Sequence, residues 1–415
     1  MNTKGSICYL KNELNMKYLL GLLNSKVTMK FLELLAPTLD YSQGPVGKIP
    51  VILDDNVQHF IERLVDENIE ISKRDWDAFE NSWGFIYHPL VYIKDGIDNA
   101  NNSKYTNSAC LCGIYKVWKK VTEERFSKLK SNEEELNRIF IDIYGLQNEL
   151  SAEVEDKDIT IRIADLQRDI KSLISYAVGC MFGRYSLDVE GLAYAGGEWD
   201  SSKHSTFIPD KDNCIPITDK RYFDDDIVVL FEKWLIAVYG EDTLEQNLDF
   251  VAEALDNKGS SSREIIRNYF LNDFFKDHCA TYSVTGSGKR PIYWLFDSGK
   301  QNGFKALIYM HRYNEDTVGR VLIYLQKLQD KYETEVRAID AMLEHITDQR
   351  QAAAEEKRRE HLRRQIEEVR DYDERLEHMA NERVSIDLDD GVKVNYEKVQ
   401  TDREGKKYQI LAAIK

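Results

Sequence analysis

The most constraining feature of this sequence is a long C-terminal segment that offers no helix-breaking residue. No glycine occurs between Gly319 and Gly391, and no proline occurs after Pro291. Because these two residues interrupt helices most often, the segment is expected to be continuously helical. Its apolar residues recur three and four positions apart around a polar gap at 349–360, which predicts one long helix or two stacked helices. The apolar stripe consists of Leu325, Leu328, Tyr332, Val336, Ile339, Leu343 and Ile346, and then of Leu362, Ile366, Val369, Leu376 and Met379.

The charged flanks of this stripe predict a coiled-coil-like arm over residues 319–386, followed by a tail at 387–415. The N-terminal half is also predicted to be mainly helical, with an N-terminal segment at 1–70 and a helical domain at 71–182. A stretch rich in Asn and Ser at 95–113 predicts a polar loop inside that domain. Helical spacing of apolar residues predicts helices at 16–35, 56–68, 117–150 and 159–181.

The segment from 183 to 318 has a different texture. Glycine, aromatic and turn residues become frequent there, which predicts a small mixed α/β module. The fold class predicted from these segments is α+β and predominantly α-helical, with a long helical arm at the C-terminal end. Within the module, the patterns predict helices at 224–239 and 262–276 and strands at 293–296 and 306–310.

The overall charge argues against binding driven by long-range attraction to nucleic acid. The formal net charge is −16, and a duplex is bound mainly by Lys and Arg that displace its counterions. A role on DNA therefore requires cations clustered on one face, or a more basic partner. The six scattered cysteines favour reduced thiols, and the chain lacks both a secretory start and a long apolar run. We expect a cytoplasmic protein.

No residue pattern predicts a catalytic, cofactor-binding or metal-binding site. The glycines at 286–289 lack the spacing of a phosphate-binding loop, and we interpret them as a flexible turn. Cys110 and Cys112 lack the second ligand pair of a zinc site. The acidic runs at 224–226 and 387–390 are interpreted as solvated turns or helix caps.

The stretch from Lys289 to Arg320 is locally positive and rich in aromatic residues. Cations can hold phosphates while aromatic rings stack on bases or sugars, so the pattern predicts a nucleic-acid contact. The alternative is that the aromatic residues fill the core of a small sheet. A second Arg, in the sequence Phe-Gly-Arg-Tyr at 182–185, is explained better by a helix C-cap than by a ligand site. The aromatic set is Tyr293, Trp294, Phe296, Phe304, Tyr309, His311 and Tyr313.

Several segments together resemble the C-terminal, target-recognition region of the PglX family, the adenine-specific DNA methyltransferases of BREX phage-defence systems. The resemblance covers nearly the whole chain and is weakest over 95–113. The segments that carry it are GLLNSK (21–26), SKRDWD (72–77), NEEELNRIFIDIY (132–144), SYAVGCMFGRY (175–185), SREIIRNYF (262–270), KRPIYWLFDSG (289–299) and NGFKALIYMHRY (302–313).

The resemblance implies a larger enzyme that uses S-adenosylmethionine and flips an adenine out of double-stranded DNA. The family's catalytic motif is Asn-Pro-Pro-aromatic, in an N-terminal domain that this sequence lacks; no Pro-Pro pair occurs here. The family's catalytic residues therefore match no position of this chain. The implied partners are double-stranded DNA, a catalytic methyltransferase domain or subunit, and other phage-defence proteins.

The leading hypothesis from the sequence is a DNA-recognition and scaffold module that lacks the S-adenosylmethionine domain. The alternative is an acidic protein-interaction scaffold without direct DNA contact, which the net charge and the helical arm favour. The expected DNA contacts are Lys289, Arg290, Lys300, Lys305 and Arg312, with Arg184 and Lys26 as further candidates.

Overall fold

The computed structural model describes residues 16–36, 43–93, 110–256, 258–286 and 288–414. Most of the predicted loop at 95–113 lies outside these residues. The helices are α1 (Met16–Leu23), α2 (Lys26–Leu35), α3 (Gln43–Val46), α4 (Gln58–Trp76), α5 (Pro89–Tyr92), α6 (Leu111–Ile143), α7 (Leu166–Met181), α8 (Ile227–Tyr239), α9 (Leu244–Leu255), α10 (Ser262–Asn272), α11 (Phe274–Thr281), α12 (Thr317–Leu343), α13 (Gln349–Glu382) and α14 (Gly391–Lys398). The strands are β1 (Ile215–Ile217), β2 (Ser283–Val284), β3 (Gly288–Lys289), β4 (Tyr293–Asp297) and β5 (Lys305–Tyr309).

The chain divides into two compact units. The first unit contains residues 1–82 and 116–165, and the second contains residues 83–115 and 166–415. The fold is predominantly helical with small antiparallel sheets, which confirms the predicted α+β class. In the described part of the chain, no helix combines the length and the apolarity that crossing a bilayer requires. The five sequence segments expected as domains stay predictions.

In the first unit, the predicted helix at 16–35 is wrong in one respect, because it is broken into α1 and α2. Ser25 causes the break by capping both helices. Its hydroxyl donates to the carbonyl of Leu22 at 2.7 Å and accepts from the amide of Thr28. A serine at this position satisfies amides that the first turn of α2 would otherwise leave unpaired.

The predicted helix at 159–181 is also shorter than expected, since α7 begins only at Leu166. Ile159 has an extended backbone and Ile161 lies in a bend, and both are buried in a small cluster with Leu129 and Val154. Their spacing of two differs from the helical three or four, so their burial does not require a helix here.

The second unit is built around a three-stranded antiparallel sheet with the order β1-β5-β4. The strands predicted at 293–296 and 306–310 are confirmed as β4 and β5, which pair Tyr293 with Tyr309. The C-terminal segment predicted as a tail adds to the free edge of β4. The amide of Ala412 donates to the carbonyl of Leu295 at 2.8 Å, and the amide of Asp297 donates to Ile410 at 3.2 Å.

The predicted arm is two helices, α12 and α13, that pack against each other and against this sheet. The chain between them, at 344–348, lies just before the polar gap. The apolar stripe is largely buried with sheet residues such as Trp294 and Phe304, so it belongs to the unit's own core. The stripe residues that are fully or nearly fully buried are Leu325, Leu328, Tyr332, Ile339, Leu362, Val369, Leu376 and Met379.

Candidate nucleic-acid interface

The candidate site begins where α7 ends and the chain turns sharply. Gly183 has a φ of +74°, a left-handed conformation that glycine adopts without steric penalty. The amide of Arg184 then donates to the carbonyl of Gly179 at 2.8 Å, which closes the helix. A Cβ on Gly183 would lie 2.3 Å from the ring of Trp199. The glycine therefore permits both the turn and the close packing of this tryptophan.

Arg312 ties three backbone segments together beside this turn. Its guanidinium donates to the carbonyls of Phe182 at 3.2 Å, Asp210 at 2.9 Å and Lys211 at 3.1 Å. It also lies 4.5 Å from the ring of Trp199, within the range of a cation–π interaction. These contacts fix the position of the cation, but none of them is made by a carboxylate.

Arg312 is one wall of a cleft of about 310 Å³, which we call the basic pocket. Two aromatic rings, two amides, three cations and one carboxylate line it. These residues are Tyr194, Trp199, Lys211, Asp212, Asn213, Arg312, Asn314 and Arg320.

The three cations of the basic pocket have no ion-pair partner among the residues that the structure describes. Arg320 donates to Asn314 Oδ1 and to Thr317 Oγ1, both at 3.0 Å, and its buried Nε has no hydrogen-bond partner. Lys211 is exposed. The single carboxylate, Asp212, accepts from the amide of Cys214 and the hydroxyl of Tyr324 instead.

A second cleft of the same unit, of about 500 Å³, shows the opposite arrangement. Its arginines are bound to carboxylates, and we call it the paired-arginine pocket. The pairs are Arg267 with Asp226, Arg263 with Glu232 and Glu245, and Arg358 with Asp219 and Glu335. Charge that is neutralised in this way is not available to a ligand.

Acidic groups below the basic pocket carry less negative charge than their number suggests. Burial, together with the smaller effect of the neighbouring Asp212, raises the pKa of Asp210 to about 7. Two carboxyl groups this close disfavour simultaneous ionisation. Near neutral pH, the pair therefore offsets only part of the charge of Arg312.

The structure places the predicted DNA contacts in different environments. Lys289 lies in β3. Arg290 follows this strand and is exposed, and its backbone amide donates to the carbonyl of Tyr282 at 2.8 Å. Lys300 is exposed on the loop between β4 and β5. Glu368 holds this loop by accepting from the amides of Gln301 at 2.7 Å and Gly303 at 3.0 Å.

Three other candidates are turned toward protein groups. Lys305 is 7% exposed, and its ammonium donates to the carbonyl of Leu271 at 2.7 Å. Arg184 is 9% exposed. Lys26 belongs to the first unit, where its ammonium donates to the carbonyl of Glu153. DNA contacts by all seven candidates stay predictions, and only Arg312 lines the basic pocket.

The aromatic residues of the 289–320 stretch mainly form the core of the sheet, which was the alternative interpretation. Tyr293, Trp294, Phe296, Phe304 and Tyr309 all have exposures of 0%. The aromatic residues that do line the pocket, Tyr194 and Trp199, and the cation Lys211 were not predicted from the sequence. The only local sign of the first two was the glycine-rich turn at 196–197 that separates them.

Among the described residues, the possible metal ligands and the acidic runs form no further candidate site. The described residues contain no group of three or more His, Cys, Asp or Glu side chains that could hold a metal ion. Asp226 and Asp387 cap helices by accepting from the amides of Val228 and Asp389. Gly286 lies in the turn between β2 and β3, and Gly288 is the first residue of β3, while Ser287 lies outside the described residues.

Comparison with known proteins gives two close relatives. No protein-family model matches the chain. It is 44% identical over 405 residues to the adenine-specific methyltransferase PglX of Lacticaseibacillus casei (strain Zhang), covering 97% of this chain and 32% of that protein. It is 35% identical over 422 residues to the adenine-specific methyltransferase BrxX of Escherichia coli O9:H4 (strain HS), covering 94% of this chain and 33% of that protein. The chain thus spans about a third of the length of these relatives. The resemblance is confirmed: the chain corresponds to a C-terminal part of a PglX-like methyltransferase.

Proposed function

We propose that this chain is the DNA target-recognition and scaffold part of an N6-adenine-specific DNA methyltransferase in a BREX-type phage-defence system. In this role it positions a duplex for a catalytic domain or subunit in the cytoplasm, and it contacts other defence proteins. The similarity to two adenine-specific methyltransferases supports the enzyme class. The observation that carries the DNA contact is the unpaired charge of the basic pocket.

The three cations of the basic pocket have no ion-pair partner among the described residues, although the chain is rich in carboxylates. Formal charges are 56 Lys and Arg against 72 Asp and Glu, so carboxylates are abundant. In the paired-arginine pocket of the same unit, by contrast, Arg267 and Arg358 are bound by carboxylates. Among the described residues, Lys211, Arg312 and Arg320 are left without such partners, and their charges are therefore available to an anionic ligand.

The geometry of the pocket favours the backbone of a nucleic acid. Arg312 is held in place before any ligand arrives, so little conformational entropy is lost when it binds. Contacts of this kind position a duplex without reading its sequence. The exposed Asn314 at the pocket rim adds a side-chain amide, and amides can hydrogen-bond to base edges.

S-adenosylmethionine is required by the proposed full enzyme, but the described residues do not fit it. Amino-methyltransferase cofactor sites need a glycine-rich loop that follows a strand and leads into a helix. Here the largest sheet has three antiparallel strands, and its strands are joined by long connections or by the 298–304 loop. We therefore derive no methyl-transfer step within these residues.

The test is the salt dependence of duplex binding by the 415-residue chain and its charge-reversal variants. In Lys211→Glu and Arg320→Glu, binding to a mixed-sequence duplex should weaken. The slope of log K against log salt should fall in magnitude by about 1 for each phosphate that the variant no longer neutralises. Fluorescence anisotropy at several salt concentrations measures both quantities.

The matched control is Arg337→Glu, on α12 like Arg320 but about 25 Å further along the helix axis. Arg337 is 75% exposed, and its one salt bridge to a described residue is with Glu333, at 3.7 Å. The Arg337→Glu variant changes the net charge by the same amount, but outside the pocket. Equal weakening by this control would show a bulk charge effect, and unchanged binding by both pocket variants would reject the proposed contact.

The second candidate function, a protein-interaction scaffold without DNA contact, is favoured by the net charge of −16. The helical arm supports this second function less than the sequence predicted, because the apolar stripe of the arm is largely buried against the rest of the same unit. If the wild-type chain is not retained on DNA at low salt but captures other defence proteins, this second function replaces the first.

A further inference from the structure

A buried arginine without a counter-ion lies next to the basic pocket. Arg184 is 9% exposed, and its guanidinium lies 5.1 Å from the ring of Tyr185 and 5.7 Å from that of Tyr282. The charge of Arg184 also partly offsets the rise that burial causes in the pKa of Tyr309. Within the described ranges of the chain, it makes no salt bridge. The carbonyl of Arg184 accepts from the amide of Tyr194, a residue that lines the basic pocket.

Hydrogen-bond donors without partners in the described part of the chain lie at this buried charge and at His278, whose ring is 4.8 Å from the ring of Tyr282 beside Arg184. The Nε of Arg184 is buried and has no hydrogen-bond partner there. His278 is 2% exposed, and its Nε2 accepts from the amides of Ile292 and Tyr293, both at 3.0 Å. An imidazole nitrogen that accepts carries no proton, so the proton of the neutral ring is on Nδ1. That Nδ1 is also buried without a partner.

Burial and a neighbouring charge keep the ring of His278 neutral. Burial, together with the smaller effect of the charge of Arg184, lowers the pKa of His278 to about 3. The same two causes lower the pKa of His311 to about 4, and its buried Nδ1 also has no hydrogen-bond partner among the described residues. The neighbourhood thus holds one permanent positive charge and at least two donors that await an acceptor.

An interior of this kind is unfavourable unless a ligand completes it. Buried charges in proteins are paired, and buried donors are bonded, because an uncompensated group has lost its hydration. Arg267 in the same unit follows this rule, with two hydrogen bonds to Asp226 at 2.7 and 2.8 Å. Arg184 does not, because no carboxylate pairs with it in the described part of the chain.

We infer that Arg184 and His278 form a binding site for an oxyanion of the phosphate type. An oxyanion carries the missing negative charge, and its several oxygen atoms can accept from both donors at once. The group has two sources, a free phosphate ion or the backbone of DNA. The inference rests on the proposed function only for the second source, since a free ion would bind whether or not the chain contacts DNA.

The test uses thermal unfolding of the 415-residue chain in potassium phosphate, with potassium chloride at equal ionic strength as the reference. Phosphate at roughly a hundred times its Kd should raise the Tm on the order of 5 °C above chloride. Arg184→Met, which keeps the length and apolar bulk of the side chain, should abolish this shift. Arg337→Ala, a control outside both the basic pocket and the Arg184 site, should retain it.

Calorimetric titration of phosphate into the wild-type chain and Arg184→Lys keeps the test decisive if the methionine variant fails to fold. The lysine retains the charge but loses Nε, so phosphate should bind at least tenfold more weakly. A wild-type chain that neither binds phosphate nor gains Tm would overturn the inference, as would a shift that persists in Arg184→Met.

Duplex binding by the Arg184 variants separates the two sources of the oxyanion. If phosphate protects the wild type and Arg184→Met binds DNA normally, the ligand is the free ion. If both responses disappear in Arg184→Met while its fold is intact, the site takes the DNA backbone. Loss of duplex binding in Lys211→Glu and Arg320→Glu remains the separate test of the proposed function.

Discussion

Asp226 should be among the most costly residues to replace in the second unit. It is 0% exposed, and its carboxylate binds the guanidinium of Arg267 through two hydrogen bonds. It also caps α8 by accepting from the amide of Val228 at 3.0 Å. In Asp226→Ala the arginine remains buried without its partner, and α8 loses its cap.

The magnitude follows from these two losses. Breaking a buried ion pair by removing one member costs about 4 kcal/mol, and losing an aspartate N-cap costs about 1 kcal/mol. Asp226→Ala should therefore lower the free energy of unfolding by about 5 kcal/mol. Urea unfolding followed by circular dichroism measures this change, provided that the transition of the second unit is resolved from that of the first.

The double variant Asp226→Ala/Arg267→Met is the matched comparison. Removing both charges leaves no buried ion, so the double variant should be more stable than Asp226→Ala alone. A loss below about 2 kcal/mol in Asp226→Ala, or a double variant as unstable as the sum of its single changes, would refute this reasoning. The contrast between paired and unpaired arginines would then lose its physical basis.

Three further predictions concern the basic pocket and the loop that carries Lys300. Asp210 has a pKa of about 7 in the folded chain against 3.8 for an ordinary aspartate, so the folded state binds more protons between these values. The contribution of the protonated Asp210 to stability should be fully present below pH 3.8 and lost as the pH rises through about 7. Asp210→Asn should flatten this part of a stability–pH profile, and a profile equal to that of the wild type would contradict this role of Asp210. Gly183→Ala combines a φ of +74° with a 2.3 Å approach to Trp199, so it should cost at least about 1 kcal/mol, shift tryptophan fluorescence and weaken DNA binding. Glu368→Ala removes hydrogen bonds from Ser298, Gln301 and Gly303. Amide hydrogen exchange at 298–303 should therefore accelerate, while the amides of α8 stay protected. Exchange at 298–303 equal to that of the wild type would reject the role of Glu368 in holding this loop.

Local sequence patterns correctly predicted those helices and strands in which the spacing of the apolar residues alone determines which side is buried. The strands β4 and β5 and the helix α8 were identified in this way, with errors of three residues or fewer at their ends. β1 was missed because it has three residues, one of them Pro216. Its position at the edge of the sheet explains how a proline is tolerated, since an edge strand has one side without a ladder.

The errors arose where a side chain or a distant segment decides the local structure. The break at Ser25 depends on one hydroxyl that serves two helix ends, and apolar spacing does not record it. The non-helical segment at 159–165 is held from a distance, because Arg162 binds Asp75 through both its amide and its guanidinium, each at 3.1 Å. Helical propensity loses to such tertiary contacts.

The candidate site was harder to predict, because a count of charges along the chain ignores their partners. The positive stretch at 289–320 contains both Lys305, whose ammonium is turned inward, and Arg320, which faces the basic pocket. Lys211 lies about a hundred residues earlier, beside Asp210 and Asp212, where the sequence is locally acidic. Only the fold shows that the carboxylate of Asp212 is engaged by Cys214 and Tyr324, while Lys211 has no ion-pair partner in the described ranges.

This distribution of partners explains how a chain with a net charge of −16 could still hold DNA. Exposed charges more than about 8 Å apart are largely screened at physiological salt, so the groups within the pocket outweigh the distant carboxylates at the point of contact. The net charge still opposes the approach of a duplex from a distance. Association should therefore be slow for a DNA-binding protein and should accelerate as salt is added up to a moderate concentration, while dissociation accelerates throughout. Stopped-flow measurement of both rates tests this expectation, and an association rate that falls steadily from low salt would mean that a larger positive surface, not the basic pocket alone, attracts the DNA.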